Sequence, residues 1–197
     1  METRNVADKA RIIVAKDMTD ANVVLLLSAL YRKNRLTYTH SINVGYLTAQ
    51  ICIKNKFEKR IAEQIVTGAL LHDVGKLFTP NSILTKKGSL TEDEYGIVKL
   101  HTSQGAMLLE NLVPQIATDI VLDIVENHHE KPDGSGYHKK TDVSFEAQLI
   151  HAVDVYDALT SDRTYRQGCP AAYSIETLFK EGIDEVIIKA IAGCCVK

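Results

Sequence analysis

Apolar residues recur along this chain at steps of three and four, the period of a helix with one buried face. Val23, Val24, Leu27 and Leu30 form one such stripe, and Asp20 stands where an N-cap is expected. Ile42, Tyr46, Ala49 and Ile53 form the next, with Thr37 or Thr39 as its start. Ile61, Ile65, Gly68 and Ala69 make a third stripe that runs on to Gly75. Pro80 and the stretch Thr85 to Ser89 predict a loop, and Thr91 followed by Glu94 predicts a capping box. A short helix is expected from Ser103 to Leu112. Pro114 suits the first turn of the helix carrying Ile116, Ile120, Ile124 and Val125. The segment Lys131 to Lys140, dense in Gly, Pro and Lys, reads as a loop. Helices over Phe145 to Leu159, Ala172 to Lys180 and Asp184 to Ala192 complete the series. No convincing strand pair, repeat or low-complexity linker interrupts it, so the pattern predicts an all-α fold in one helical bundle.

Composition narrows the function classes. A chain of 197 residues fits one well-filled domain, and 45% apolar with 24% charged residues is ordinary for a soluble globular protein. A net charge of -2 offers no global attraction for a nucleic-acid polymer or an anionic membrane. Any attraction for phosphate must therefore be local. The most apolar run, Val23 to Tyr31, is far shorter than the roughly 20 residues a membrane span needs. Met1 to Met18 lacks the apolar centre of a signal peptide, so a cytoplasmic chain without a membrane segment is expected. Cys52, Cys169, Cys194 and Cys195 have no metal-ligand or redox spacing and fit a reducing compartment.

The histidines change the picture. Seven occur, at positions 40, 72, 101, 128, 129, 138 and 151. His72 continues the stripe Ile61, Ile65, Ala69, and His128 continues Ile120 and Ile124, so both point inward. Asp154, four residues after Ile150, lies on the inward side of its own helix. A buried imidazole or carboxylate without compensation is costly, and a bound divalent metal is one economical compensation. Imidazole and carboxylate without thiolate suit Fe, Mn, Ni or Zn held for hydrolysis. Neighbouring residues on a helix project roughly 100° apart. Pairs such as His72-Asp73 and His128-His129 can therefore serve two adjacent ions. Two ions about 3.5–4 Å apart share a water, lower its pKa and grip both oxygens of an in-line displacement at phosphorus. Set against two carboxylates, such a pair leaves a formal charge of about +2, which favours a phosphodiester.

His40, the pair His72-Asp73 and Asp154 resemble the H…HD…D signature of the HD superfamily of phosphohydrolases. The runs HDVGK (72–76), HTSQGAMLL (101–109), HHEKPDGSGY (128–137) and DVYDALTSDRTYR (154–166) look like the motifs of its HD-GYP subfamily. The resemblance extends from about Leu25 to the C-terminus. It implies a single HD-domain helical bundle over residues 25–197, with 1–24 as a lead-in segment. It further implies a first metal held by His40, His72, Asp73 and Asp154, and a second held by His101, His128 and His129, with Asp73 as bridge. Fe or Mn is the foremost expectation for these two divalent ions, with Ni, Zn or Mg as alternatives. Lys76 resembles a phosphate-contacting lysine and shares the catalytic role with Asp73, although it also stands where a cation favours a helix end. Arg163 and Arg166 match arginines that bind substrate phosphates or guanine bases, and otherwise read as surface ion-pair residues. Gly136 and Tyr137 lie on the substrate-facing loop. Asp157 matches a position that orients a ligand, with a cap or salt bridge as the plainer alternative. His151 falls outside the pattern and is expected to be structural or exposed.

The sequence departs from the family pattern twice. Some members carry a glutamate four residues before the first histidine and hold a third metal; here that position is Leu36, which favours two ions. The GYP triplet is broken because His138 follows Gly136-Tyr137, and His138 itself is expected to be a solvent-exposed loop histidine. The implied activity is hydrolysis of a cyclic dinucleotide, foremost cyclic di-GMP to linear pGpG or GMP, by hydroxide activated at the two-metal centre. The alternatives are an HD-type phosphohydrolase acting on another nucleotide or cyclic dinucleotide, and a catalytically weak nucleotide-binding signalling module. Expected partners are the nucleotide substrate and signalling proteins, with no nucleic-acid polymer. An inert helical scaffold would leave the inward His and Asp residues unexplained.

Overall fold

The computed structural model describes residues 2–161 and 167–195. Its helices are α1 (Glu2–Asp17), α2 (Ala21–Lys33), α3 (Arg35–Lys54), α4 (Lys59–Leu71), α5 (Asn81–Leu84), α6 (Glu92–Lys99), α7 (His101–Leu112), α8 (Asp119–Asn127), α9 (Phe145–Thr160), α10 (Ala171–Lys180) and α11 (Glu185–Cys195). A 3-10 turn, Val74–Leu77, follows α4. No strand occurs among the described residues, so the fold is all-α as the periodicity predicts.

Capping chemistry explains where helices start. The Asp20 carboxylate accepts from the amides of Asn22 and Val23 at the head of α2. The Thr91–Glu94 capping box forms as expected. Three starts differ from expectation, the first being α7, which opens at His101, two residues before Ser103. Asn34, upstream of both Thr37 and Thr39, caps α3 by accepting from Leu36 and Thr37. Thr118 caps α8 through its hydroxyl, so Pro114 lies in the preceding turn and not inside the helix. Between Pro80 and the stretch Thr85 to Ser89, both expected as loop, the chain forms the short helix α5. Val24, expected on the core face of α2, is about a third exposed (36%), while Leu26 takes a buried place beside Val23, Leu27 and Leu30.

Helix α4 organises the rest. Every residue from Ile65 to Leu71 is buried, the signature of a helix covered on all sides. Ile65 and Ala69 pack into one apolar cluster with Ile51, Leu149, Ile150, Leu178 and Ile187. Val66, Leu70 and Leu71 pack into a second with Leu27, Leu30, Leu109, Val121 and Val125, which Ala10 of α1 also joins. Glycines let the neighbours come close. A Cβ on Gly45 of α3 would lie 2.5 Å from Leu70 Cδ2, and one on Gly68 of α4 would lie 2.8 Å from Ile124 Cδ1. Truncating a fully buried Leu70 to alanine in such packing costs about 2–5 kcal/mol. The end of α4, where His72 and Asp73 stand, is thereby held inside the molecule.

Candidate metal centre

Five segments far apart in sequence deliver their polar residues to one place. His72 is the C-cap of α4 and Asp73 follows it, His101 opens α7, and His128 is the C-cap of α8 with His129 next to it. His40 comes from α3 and Asp154 from α9. The ligand-type atoms of His101, His128 and His129 lie within 4.8 Å of one another, as do those of His40, His72 and Asp73. Asp73 sits between the groups: its Oδ2 is 3.5 Å from His72 Nε2 and its Oδ1 is 3.4 Å from His101 Nε2. Two helix C-termini converge here, and their partial negative charge favours cations.

Backbone carbonyls set the tautomers. His72 Nδ1 lies 2.7 Å from the Ala69 carbonyl, His101 Nδ1 2.6 Å from that of Val98, and His128 Nδ1 3.1 Å from those of Ile124 and Val125. A carbonyl only accepts, so each Nδ1 carries the proton and each neutral ring turns an Nε2 lone pair inward. Burial holds His101 down to about 4 and His129 to about 3, and it lowers His72 and His128 as well. The rings are therefore neutral near pH 7. The Nε2 atoms of His101 and His128 then face each other at 3.3 Å as two acceptors with no proton between them. His72 Nε2 and Asp73 Oδ1 are buried without a hydrogen-bond partner among the described residues. Lone pairs crowded together in a buried site are unfavourable, and divalent cations resolve the arrangement. The donor set fits metal.

His40 differs from the other rings. Its burial alone would lower it, but contacts to Asp154 (2.8 Å from Nε2) and Asp157 (2.7 Å from Nδ1) raise it to about 10. Asp157 engages Nδ1 and receives Ser161 Oγ at 2.8 Å, so it orients the ring and leaves Nε2 facing Asp154. Lys76 Nζ lies 2.7 Å from Asp73 Oδ2, so the lysine is directed at the centre. Burial raises the Asp73 carboxyl, but the charges of Lys76 and His40 outweigh it and hold Asp73 well below the usual carboxylate range.

The remaining expected residues divide. Tyr137 flanks the centre, its ring centroid 4.4 Å from that of His129 and 6.1 Å from that of His101. Gly136 presses on the chain at the histidine pair, where a Cβ would lie 2.5 Å from Glu130 Cα and 2.7 Å from the His129 carbonyl oxygen. Arg163 and Arg166 lie outside the described residues. Leu36 is exposed one turn before His40. His151 is buried and structural: its Nδ1 is 2.9 Å from the His128 carbonyl and its Nε2 is 3.1 Å from Glu181 Oε2. His138 is exposed on its loop as expected, yet its Nε2 makes a 2.9 Å contact with Thr102 Oγ1. Sequence reasoning missed Glu130, whose fully buried carboxylate accepts from the amides of His138 (2.7 Å) and Lys140 (2.8 Å). An acid directly after two inward histidines was the available signal.

The class of protein follows from this fold and site. The chain belongs to the HD domain family, whose model matches residues 24–184. Among its relatives, a cyclic di-GMP phosphodiesterase of Pseudomonas aeruginosa is 33% identical over 181 residues, covering 90% of this chain and 43% of that protein. A 3'3'-cGAMP-specific phosphodiesterase of Vibrio cholerae is 31% identical over 146 residues, covering 73% of this chain and 33% of the relative. The chain thus spans less than half the length of these curated relatives. A solved HDG"Y"P protein from Bdellovibrio bacteriovorus shares the fold with a TM-score of 0.66 and 19% identity, over 97% of this chain and 61% of its own.

Proposed function

We propose that this chain is a metal-dependent phosphodiesterase that hydrolyses a cyclic dinucleotide, cyclic di-GMP foremost. The carrying observation is the pair of histidine-rich groups that meet at Asp73, with His72 Nε2 and Asp73 Oδ1 buried and unpartnered among the described residues. Relatives named as cyclic di-GMP and 3'3'-cGAMP phosphodiesterases support the substrate class. His40, His72, Asp73 and Asp154 would hold one ion, and His101, His128 and His129 the other, with Fe or Mn the first candidates. Such ions, when bound, acidify water and neutralise phosphoryl oxygens. Asp73 ties the two groups together. Lys76, beside Asp73, offsets negative charge developing on a non-bridging phosphoryl oxygen. Gly136 keeps the loop close to the centre, and Tyr137 offers a ring beside His129 for a base or ribose face. Arg163 and Arg166 are assigned to the substrate phosphates or guanine bases. We read 25–197 as the phosphohydrolase domain, with α1 in the lead-in 1–24. No helix among the described residues is long and apolar enough to cross a membrane. Cytoplasmic action fits Cys52 and Cys194, which stand as thiols, and signalling proteins are the partners this reading entails.

A second substrate reading, 3'3'-cGAMP or another cyclic dinucleotide, is favoured by His138 in place of the triplet's proline. Metal analysis of the purified protein together with turnover of both dinucleotides tests the proposal. Bound transition metal and hydrolysis of at least one are expected. A protein that holds none, and hydrolyses neither with added Mn or Fe, refutes it. Asp73→Ala should abolish turnover, whereas Lys76→Ala should keep its metal and lose roughly 10²-fold in rate.

A further inference from the structure

The loop that presents Tyr137 is held from two sides. On one side, Glu130 receives the backbone N–H groups of His138 and Lys140 on its two carboxylate oxygens. Between those amides Lys139 adopts φ 59, a left-handed conformation that a residue with a Cβ takes at a cost. Such a conformation persists where its surroundings over-determine it, and a buried carboxylate gripping both flanking amides does so.

On the other side stands the His138 ring. Thr102, fully buried in α7 next to His101, directs its hydroxyl at the Lys99 carbonyl, 3.2 Å away. A hydroxyl has one proton to give, and that carbonyl only accepts. With that proton kept on the Lys99 carbonyl, the 2.9 Å contact with His138 runs the other way, His138 Nε2–H donating to Thr102 Oγ1. His138 is fastened twice, through its amide to Glu130 and through its ring to α7. The neighbouring residue is Tyr137, whose ring lies against His129 and meets Tyr95 edge-on at 5.9 Å.

We propose that His138 is a positioning residue for substrate: its ring latches the 131–140 loop onto α7 through Thr102 and fixes Tyr137 at the mouth of the metal centre. The hydrogen bond supplies a constraint on the loop that a proline at this position would supply through its ring. The latch rests on the loop geometry alone, while its effect on substrate rests on the phosphodiesterase reading.

The variants are His138→Ala, Thr102→Val, their double combination, and His138→Gln, whose amide nitrogen can replace Nε2 as donor. Hydrogen exchange of the loop amides reads the latch without turnover, and kinetics on cyclic di-GMP read its consequence. His138→Ala and Thr102→Val should each speed exchange at residues 135–140 and raise KM about three- to tenfold, the worth of one net hydrogen bond. Metal content should stay at the wild-type value, the double variant should be no worse than the worse single, and His138→Gln should recover most of the loss. Unchanged loop exchange in His138→Ala, additive effects in the double variant, or no recovery in His138→Gln overturns the latch. If exchange responds as stated but KM does not, the latch exists and its positioning role is refuted. If the wild type hydrolyses no cyclic dinucleotide, the phosphodiesterase reading fails, while the exchange experiment still decides the latch.

Discussion

Gly75 lies where the 3-10 turn after Asp73 crosses the start of α7, and replacing it with alanine tests how the two halves of the centre are joined. A Cβ at this position would lie 1.8 Å from the His101 carbonyl oxygen and 2.7 Å from the Gly105 amide nitrogen. Real Cβ contacts essentially never fall below 3.0 Å, so turn and helix must separate by about 1.2 Å, the difference between 3.0 and 1.8 Å. Both partners are backbone, so no side-chain rotation relieves the clash. The turn follows directly on Asp73 and the helix opens with His101, whose Nε2 is 3.4 Å from Asp73 Oδ1, so moving the two elements apart strains that contact. Metal sites tolerate departures of only ~0.2 Å from good ligand distances. Gly75→Ala should therefore lose metal, chiefly from the His101, His128 and His129 group, and lose turnover with it. Overpacking of this kind costs about 1–3 kcal/mol, which lowers the melting temperature by several degrees in a chain of this size. Inductively coupled plasma mass spectrometry and a thermal melt supply the readouts. An alanine variant with wild-type metal content and melting temperature would show that this close approach is not what joins the two groups.

Further predictions concern groups away from the centre. Burial raises the Asp17 carboxyl from 3.8 to about 6, with one oxygen lacking a partner among the described residues. A carboxyl raised in the folded state binds more protons there than when unfolded, so its contribution is fully present below about 4 and is lost as pH rises through about 6. Asp17→Asn should match wild type near pH 4 and be more stable at pH 7.5, by something on the order of 2 kcal/mol; equal melting curves at both values would refute it. Glu181 is lowered to about 2, chiefly by its bond with His151, which burial opposes and Lys131 reinforces. Its contribution is present above about 4.5 and fades as pH falls toward 2, so Glu181→Ala should cost about 1–2 kcal/mol at pH 7 and less in acid. A chemical-denaturation series across pH measures this, and a cost that does not shrink on acidification would remove the ion-pair explanation.

Some of this site was legible in the sequence because local periodicity carries direction. His72 and His128 extend apolar stripes, and Asp154 follows Ile150 by one turn, so their inward aim could be read from spacing alone. His40 and His101 extend no stripe cleanly; they entered through the family motif. Long-range partnerships were invisible: His151 meets Glu181 on another helix, His138 meets Thr102, and Glu130 folds back on residues eight and ten ahead. Spacing says which face a residue occupies and nothing about what crosses from the other side. Helix starts failed in a similar way. Asn34 and Thr118 win because their side chains reach free amides, a contest that several nearby Thr and Asn residues enter on equal terms in the sequence.

The burial of α4 from Ile65 to Leu71 on all sides has a consequence for how long the candidate centre holds together. A helix that lines both apolar clusters has no private route of opening; its amides should exchange with solvent only when the whole domain comes apart. His72 and Asp73, at its end, share that fate. Damage to either cluster, on α2 or on α11 alike, is transmitted to the residues of the candidate centre. Fold stability and the geometry of the candidate centre are in this molecule coupled through one helix.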